Sequence, residues 1–85
     1  MKFTVIWHEE SQSQLAALWL NAVDRTAVNL ATSRIDQTLA DDPLGAGSEV
    51  HEGLLKMIVP PLAVLYTVRV ADCVVEVEFL KLVSG

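Results

Sequence analysis

The stretch from Lys56 to Phe79, KMIVPPLAVLYTVRVADCVVEVEF, decides the fold of this chain. Its β-branched and aromatic residues are typical of strands, but a central strand does not tolerate the Pro-Pro pair inside it, because proline has no backbone N–H to donate to a sheet. We therefore place the two prolines at a turn between strands. A second short connection, Ala71–Asp72, then divides the region into a three-stranded meander.

The two connections fix the predicted register of the meander. A two-residue loop at Ala71–Asp72 places Val68 opposite Val75, and the alternation of side chains then gives one apolar face. Type I′ turns prefer Gly or Asn, so a slightly longer loop is an alternative. The face predicted to be buried holds Leu55, Met57, Val59, Val64, Tyr66, Val68, Val70, Cys73, Val75, Val77 and Phe79. The opposite, open face holds Lys56, Leu65, Thr67, Arg69, Val74, Glu76 and Glu78.

The first half of the chain predicts one strand and two helices. The β-branched and aromatic segment from Lys2 to Trp7 is a strand. A helix from about Glu9 to Asn21 follows, with an apolar stripe and two carboxylates in its first turn. The second helix is capped by Asp24 and ends near Asp41, before a Pro- and Gly-containing segment that reads as a loop. The apolar positions are Leu15, Leu18, Trp19 and Ala22 in the first helix, and Ala27, Val28, Ala31, Ile35 and Leu39 in the second.

These elements predict an α+β fold of order β-α-α-β-β-β, with an antiparallel meander sheet packed on a two-helix hairpin. At 85 residues the chain makes a single domain, residues 1–85. The position of the first strand in the sheet is left open.

Composition limits the possible functions. A formal net charge of −5 opposes broad binding to nucleic acid phosphates. The single cysteine, Cys73, excludes an internal disulfide and a Cys-rich zinc site, and it favours the reducing cytoplasm. Charged residues interrupt every apolar stretch, so we expect no membrane segment. With 52% hydrophobic residues in a small domain, we expect a bound partner or a dimer.

The order of elements resembles the RelE/ParE superfamily of toxins from type II toxin–antitoxin systems, which include plasmid stabilisation modules. Three segments carry the resemblance: FTVIWHEESQSQLAALW, RIDQTLADDPLGAG and VPPLAVLYTV. The resemblance implies a toxin that a cognate antitoxin neutralises by binding across its surface. It also implies either mRNA cleavage on the ribosome, as in RelE-like members, or action on DNA gyrase, as in ParE-like members.

The resemblance places a catalytic basic residue at Lys56. Arg69, on the same open face, is a further candidate for acid–base work and phosphate contacts, and His51, in or just after the loop, is a candidate for proton transfer, with an exposed loop residue as the alternative. The family's arginine just beyond the turn is replaced by Ala63, and its C-terminal basic, His or Tyr residues have no clear counterpart. A weak or non-nucleolytic toxin is therefore the first hypothesis. The alternatives are an mRNA endoribonuclease that uses Lys56 and a non-toxic homodimeric module. The predicted antitoxin contacts are Leu54, Leu65, Val74 and Leu80.

Other candidate residues have simpler interpretations. His8, Glu9 and Glu10 suggest a metal site, but a third convergent ligand is missing, so we expect neither a metal nor a cofactor. The alternative to a catalytic role for Arg69 is a cross-strand ion pair with Glu76. Trp7 and Trp19 are candidates for lining a partner groove, although the apolar stripe places Trp19 more simply in the core. Tyr66 is predicted to be a core ring with its hydroxyl satisfied at an edge.

Overall fold

The computed structural model of the protein describes residues 2–83, which form five strands and three helices. The first helix, α1, has the predicted bounds, and the second, α2, ends at the predicted residue. The elements in chain order are β1 Thr4–Trp7, α1 Glu9–Asn21, α2 Arg25–Asp41, α3 Pro43–Ala46, β2 Ser48–His51, β3 Leu54–Val59, β4 Leu62–Arg69 and β5 Val74–Leu82.

The strands form a single mixed sheet of order β1-β5-β4-β3-β2. Strands β2 to β5 are antiparallel neighbours, whereas β1 lies parallel to β5 and begins its pairing with Thr4 opposite Val74. The α+β class and the meander are confirmed. The order β-α-α-β-β-β is incomplete, because the segment predicted as a loop contains the short helix α3 and the edge strand β2.

Both turns of the meander lie where the sequence predicts a connection, but only one has the predicted length. Val59 pairs with Leu62, so Pro60 and Pro61 form a two-residue turn as predicted. The last pair of the other hairpin is Arg69 with Val74, so the two-residue loop at Ala71–Asp72 is wrong. Four residues connect these strands, and Cys73 closes the loop with a φ of 53°. The longer loop replaces a type I′ turn, for which Ala and Asp are poor residues.

A β-bulge in β5 reverses the alternation of its last residues. Tyr66 pairs with Val77 but Leu65 pairs with Phe79, so Glu78 is an extra residue on β5. The predicted pairing of Val64 with Phe79 is therefore wrong, and Val64 pairs with Leu80. The side chain of Leu80 is 4% exposed and belongs to the core, whereas Phe79 is 47% exposed.

The core lies between α2 and the inner face of the sheet. The Oδ1 atom of Asp24 accepts a hydrogen bond from the Ala27 N–H at 3.0 Å, which confirms the predicted cap. The apolar stripe of α2 is buried as predicted, except that Ala27 is half-buried. The buried core residues are Val28, Ala31, Ile35, Leu39, Met57, Leu62, Val64, Tyr66, Val75, Val77 and Leu80.

Helix α1 covers the part of β5 that extends beyond β1. Strand β1 ends with Trp7 opposite Val77, and two side chains of α1 then bond to the backbone of β5. The buried hydroxyl of Ser11 donates to the Val77 carbonyl at 3.0 Å, and Gln14 Oε1 accepts from the Leu80 N–H at 2.8 Å. These bonds satisfy β5 backbone groups on its outer side.

The hydroxyl of Tyr66 joins the sheet to α3. The ring is fully buried, and its hydroxyl donates to the Pro43 carbonyl at 2.6 Å, so the prediction of a core ring with a satisfied hydroxyl is confirmed. A Cβ atom on Gly47 would lie 2.3 Å from the Tyr66 oxygen, so only glycine leaves room for the hydroxyl. None of the helices within residues 2–83 has the length and apolarity needed to cross a membrane.

Candidate functional site

The open face of the sheet carries a cavity of about 250 Å³ beside Lys56. Lys56 is half-buried on β3 and lies opposite Leu65, which in turn lies opposite Phe79. The exposed Lys81 of β5 lines the same cavity. The cavity therefore combines two amines with an exposed aromatic ring, a set that suits a phosphate and a base. The complete lining is Gln14, Lys56, Ala63, Leu65, Phe79, Leu80 and Lys81.

Sequence reasoning missed Lys81 and Phe79 because of the bulge. A regular ladder that begins with Val68 opposite Val75 turns Phe79 and Lys81 towards the helices. The extra residue Glu78 reverses this parity, so that Phe79 pairs with Leu65 on the open face. A charged residue at the third position of the FLKL segment was the available signal, because Lys81 is unfavourable in a core.

Arg69 lies away from this cavity and is paired. Its Nη2 atom lies 2.9 Å from Glu76 Oε1, so the predicted cross-strand ion pair is confirmed. Leu65, the partner of Lys56, precedes Arg69 by four residues on β4, which corresponds to roughly 13 Å along a strand. The pairing with Glu76 and this distance separate Arg69 from Lys56.

His51 lies on the edge strand β2 and is exposed. It pairs with Leu54, two residues before Lys56, whereas Ser48 is the residue directly opposite Lys56. Among residues 2–83, neither a hydrogen bond nor an ion pair joins His51 to Lys56 or to Arg69. The structure therefore does not assemble the three predicted catalytic candidates into one group.

The predicted antitoxin contacts divide between the surface and the core. Leu54, Leu65 and Val74 are half-buried. Leu80 was predicted to face a partner, but it is 4% exposed and packs in the core, because the bulge turns it inward. Three of the four residues thus remain accessible.

A larger apolar groove lies between α1 and α2. It has a volume of about 730 Å³ and contains both tryptophans of the chain. Trp19 was expected in the core, but its exposed fraction is 36%, because Leu15 and Leu18 are the α1 residues that pack against the core. Leu20, which also lines the groove, is 64% exposed. The lining residues are Trp7, Gln12, Leu15, Ala16, Trp19, Leu20, Asn29 and Thr32.

Polar contacts hold both indole rings of the groove in place. The Trp7 Nε1–H donates to Asp36 Oδ1 at 3.2 Å, which ties β1 to α2. The guanidinium of Arg25 lies 4.6 Å above the centre of the Trp19 ring, a cation–π distance. Two fixed aromatic rings in a concave apolar surface provide anchors of the kind that dominate protein interfaces.

The comparisons with known proteins identify the fold. The RelBE2 toxin–antitoxin complex of Mycobacterium tuberculosis is similar to this chain with a TM-score of 0.79 and 14% identity, covering 96% of this chain and 99% of that chain. The RelE–RelB complex of Pyrococcus horikoshii OT3 has a TM-score of 0.72 and 17% identity, with 96% of each chain covered. The chromosomal ParDE toxin–antitoxin system of Pseudomonas aeruginosa has a TM-score of 0.71 and 10% identity, with 98% of each chain covered.

No protein-family model and no curated protein matches the sequence. The likeness is therefore one of structure, and it extends over nearly the whole chain. This chain has the RelE/ParE-like toxin fold, as the resemblance in its sequence implies.

Proposed function

We propose that this chain, acting as one toxin-like domain over residues 1–85, is the toxin or toxin-like component of a type II toxin–antitoxin module in the cytoplasm. The observation that carries the proposal is the groove of Trp7 and Trp19 on a fold shared with proteins solved as toxin–antitoxin complexes. An exposed apolar groove with two aromatic anchors on a small domain is typical of a surface that a partner covers.

The occupant that fits this groove is a segment of the antitoxin that places apolar side chains between α1 and α2. An amphipathic helix meets this requirement, because its apolar face lies along a groove. The net charge of −5 favours a partner segment with a positive net charge. Leu54, Leu65 and Val74 are proposed as additional antitoxin contacts on the open face, since all three are accessible.

Co-purification with the antitoxin tests the groove. The cognate antitoxin is sought as the product of a small neighbouring gene and expressed with this chain. Trp19→Asp is expected to weaken the complex at least roughly 30-fold, the loss typical of an interface hot spot. Val50→Asp is the matched control, because Val50 is an exposed apolar residue on β2 outside the groove. Equal weakening by both variants contradicts the proposed interface.

We propose that the toxin is weak or non-nucleolytic. Ala63 occupies the position where the resemblance places an arginine, and the guanidinium of Arg69 is engaged by Glu76. Two carboxylates, Glu76 and Glu78, also lie on β5 and oppose the approach of a polyanion.

Growth of a bacterial host after induced expression tests this proposal, with the antitoxin supplied in trans. Arrest that the antitoxin relieves supports a toxin. Unaffected growth together with a concentration-dependent mass supports the non-toxic homodimeric module.

A second candidate function is mRNA cleavage on the ribosome, and the cavity between Lys56 and Lys81 favours it. Two amines that line the same cavity as Phe79 suit a backbone phosphate while the ring stacks on a base. Lys56→Ala and Lys81→Ala are expected to abolish growth arrest and mRNA cleavage if this mechanism operates. Lys2→Ala is the control, because Lys2 is an exposed lysine distant in sequence from the cavity. Arrest that persists in both cavity variants excludes cleavage through these amines and leaves DNA gyrase as the target to assay.

A further inference from the structure

Three metal-ligating side chains converge where β1 leads into α1. His8 Nε2 lies 3.3 Å from Glu78 Oε2 and 3.7 Å from Glu76 Oε2. One donor atom from each residue lies within 4.8 Å of the other two. Residues nearly seventy positions apart in the sequence thus place an imidazole nitrogen and two carboxylate oxygens around one point. Glu9 and Glu10, the neighbours of His8, are exposed on the first turn of α1 and do not belong to the group.

The spacing of the donor atoms fits a metal ion. In a tetrahedral site with metal–ligand distances near 2.1 Å, neighbouring donors lie about 3.4 Å apart. The distances of 3.3 and 3.7 Å from His8 Nε2 to the two carboxylates lie close to this value. A neutral imidazole with two carboxylates carries two negative charges, which a divalent cation neutralises. Nitrogen and oxygen donors of this kind suit zinc and its neighbours better than Mg²⁺ or Ca²⁺.

The fold holds both sides of this cluster. The backbone of His8 is tied to β5 through its N–H, which donates to the Val77 carbonyl at 3.4 Å. Its carbonyl accepts from the Ser11 hydroxyl at 2.8 Å. The bulge at Glu78 positions that side chain, as bulges commonly do beside functional sites. Arg69 binds Glu76 Oε1, which leaves Oε2 directed towards His8. A partner that holds the second carboxylate oxygen orients a metal ligand in this way.

We propose that His8, Glu76 and Glu78 form a binding site for one divalent transition-metal ion of the zinc class. Their side chains are 44%, 16% and 34% exposed, so solvent reaches the remaining coordination position. The bound ion links the β1–α1 junction to β5, next to Trp7. This proposal does not depend on the proposed toxin function, because it rests on the three side chains and their distances alone.

Isothermal titration of the purified, chelator-treated chain with ZnCl₂ tests the site. We expect saturable binding of one ion per chain. His8→Asn and Glu78→Gln are each expected to lower the affinity roughly tenfold or more, as the loss of a supporting group or ligand does in metal sites. His51→Asn and Glu49→Gln are the matched controls, since they remove a histidine and a carboxylate on β2 and should leave the affinity unchanged.

A second measurement separates loss of a ligand from loss of the fold. In ¹H–¹⁵N NMR spectra, Zn²⁺ should shift the His8 ring and the amides of Glu76 to Glu78, while the His51 ring stays unchanged. Glu78→Gln replaces a partly exposed side chain and should retain the wild-type spectrum without the metal-induced shifts. The proposal is overturned if Zn²⁺ does not saturate a single site up to millimolar concentrations. Equal loss of affinity in His8→Asn and His51→Asn also overturns it.

Discussion

Tyr66 shows how one polar atom in a core determines its surroundings. Its hydroxyl donates to the Pro43 carbonyl inside the protein, where the side chains of both residues are fully buried. Tyr66→Phe is expected to lower the free energy of unfolding by about 1–3 kcal/mol, because the buried carbonyl loses its partner. Urea denaturation measures the difference. An equal loss in Tyr66→Phe and in Thr26→Ala, an exposed residue of α2, would contradict this role.

The same hydroxyl predicts a response to alkaline pH. Burial raises the pKa of Tyr66 above its usual value of 10, and the charge of Asp42 raises it further. The folded state therefore keeps this proton at a pH where the unfolded chain has lost it. The stabilisation is complete below pH 10 and declines as the pH rises through the folded-state pKa, by at most about 1.4 kcal/mol per pH unit. We expect the stability difference between wild type and Tyr66→Phe to shrink above pH 10; a constant difference would refute the prediction.

Gly47 leaves the space that the Tyr66 hydroxyl occupies. A methyl group at this position lies within 2.3 Å of the Tyr66 oxygen and 2.7 Å of the Lys56 carbonyl. Gly47→Ala is expected to destabilise the protein by about 1–3 kcal/mol, the usual effect of overpacking. Thermal unfolding measures the loss of stability in Gly47→Ala. Ser48→Ala, at the exposed neighbouring residue, is the control. In the double variant Gly47→Ala/Tyr66→Phe, the loss of stability should be smaller than the sum of the losses in the two single variants, because the hydroxyl that clashes with the new methyl group is absent.

At the scale of elements, α1 acts as a cover for the free edge of β5. Gln14→Ala leaves the Leu80 N–H without its acceptor and is expected to lower stability by about 1–2 kcal/mol. Gln14→Glu retains an acceptor oxygen and should retain most of the stability. Hydrogen exchange of the Leu80 amide checks the mechanism, since it should accelerate in Gln14→Ala but not in Ser13→Ala. Unchanged protection of Leu80 in Gln14→Ala would show that the bond is dispensable.

Elements with local signals were predictable from the sequence. The bounds of α1, the Asp24 cap and the Pro60–Pro61 turn depend on residues within a few positions of one another. Lys81 signals that the alternation changes near the end of β5, but the position of the bulge was not predictable, because Glu78 is equally acceptable as the next outward residue of a regular strand. The bulge accounts for the errors at Phe79 and Leu80.

The rest of the candidate site depends on contacts between distant residues. Strand β2 and helix α3 lie in a polar, Gly-containing segment with no apolar alternation, and they form because β3 and the Tyr66 hydroxyl supply partners. His8 meets Glu76 and Glu78 only because β1 lies parallel to β5. A single sequence contains no signal for that neighbour, since β1 and β5 lie at opposite ends of the chain.

For the whole molecule, the exposed groove predicts a stability that depends on the partner. A ligand that binds only the folded state at 100 times its dissociation constant adds about 2.7 kcal/mol to the free energy of unfolding. For a domain of this size such a gain raises Tm by roughly 10–20 °C. We expect this shift when the purified chain is mixed with the proposed antitoxin partner and heated. Trp19→Asp should remove the shift while Val50→Asp retains it; a shift that survives Trp19→Asp would place the antitoxin elsewhere.

The pairing of β1 with β5 delays completion of the sheet during synthesis of the chain. The first strand has its sheet partner in β5, the last described element of the chain, so the sheet closes only after β5 has left the ribosome. Lys81, which completes the cavity beside Lys56, belongs to the same late segment. A nascent chain whose β5 has not yet emerged therefore carries no assembled cavity, even where β3 and β4 have already paired.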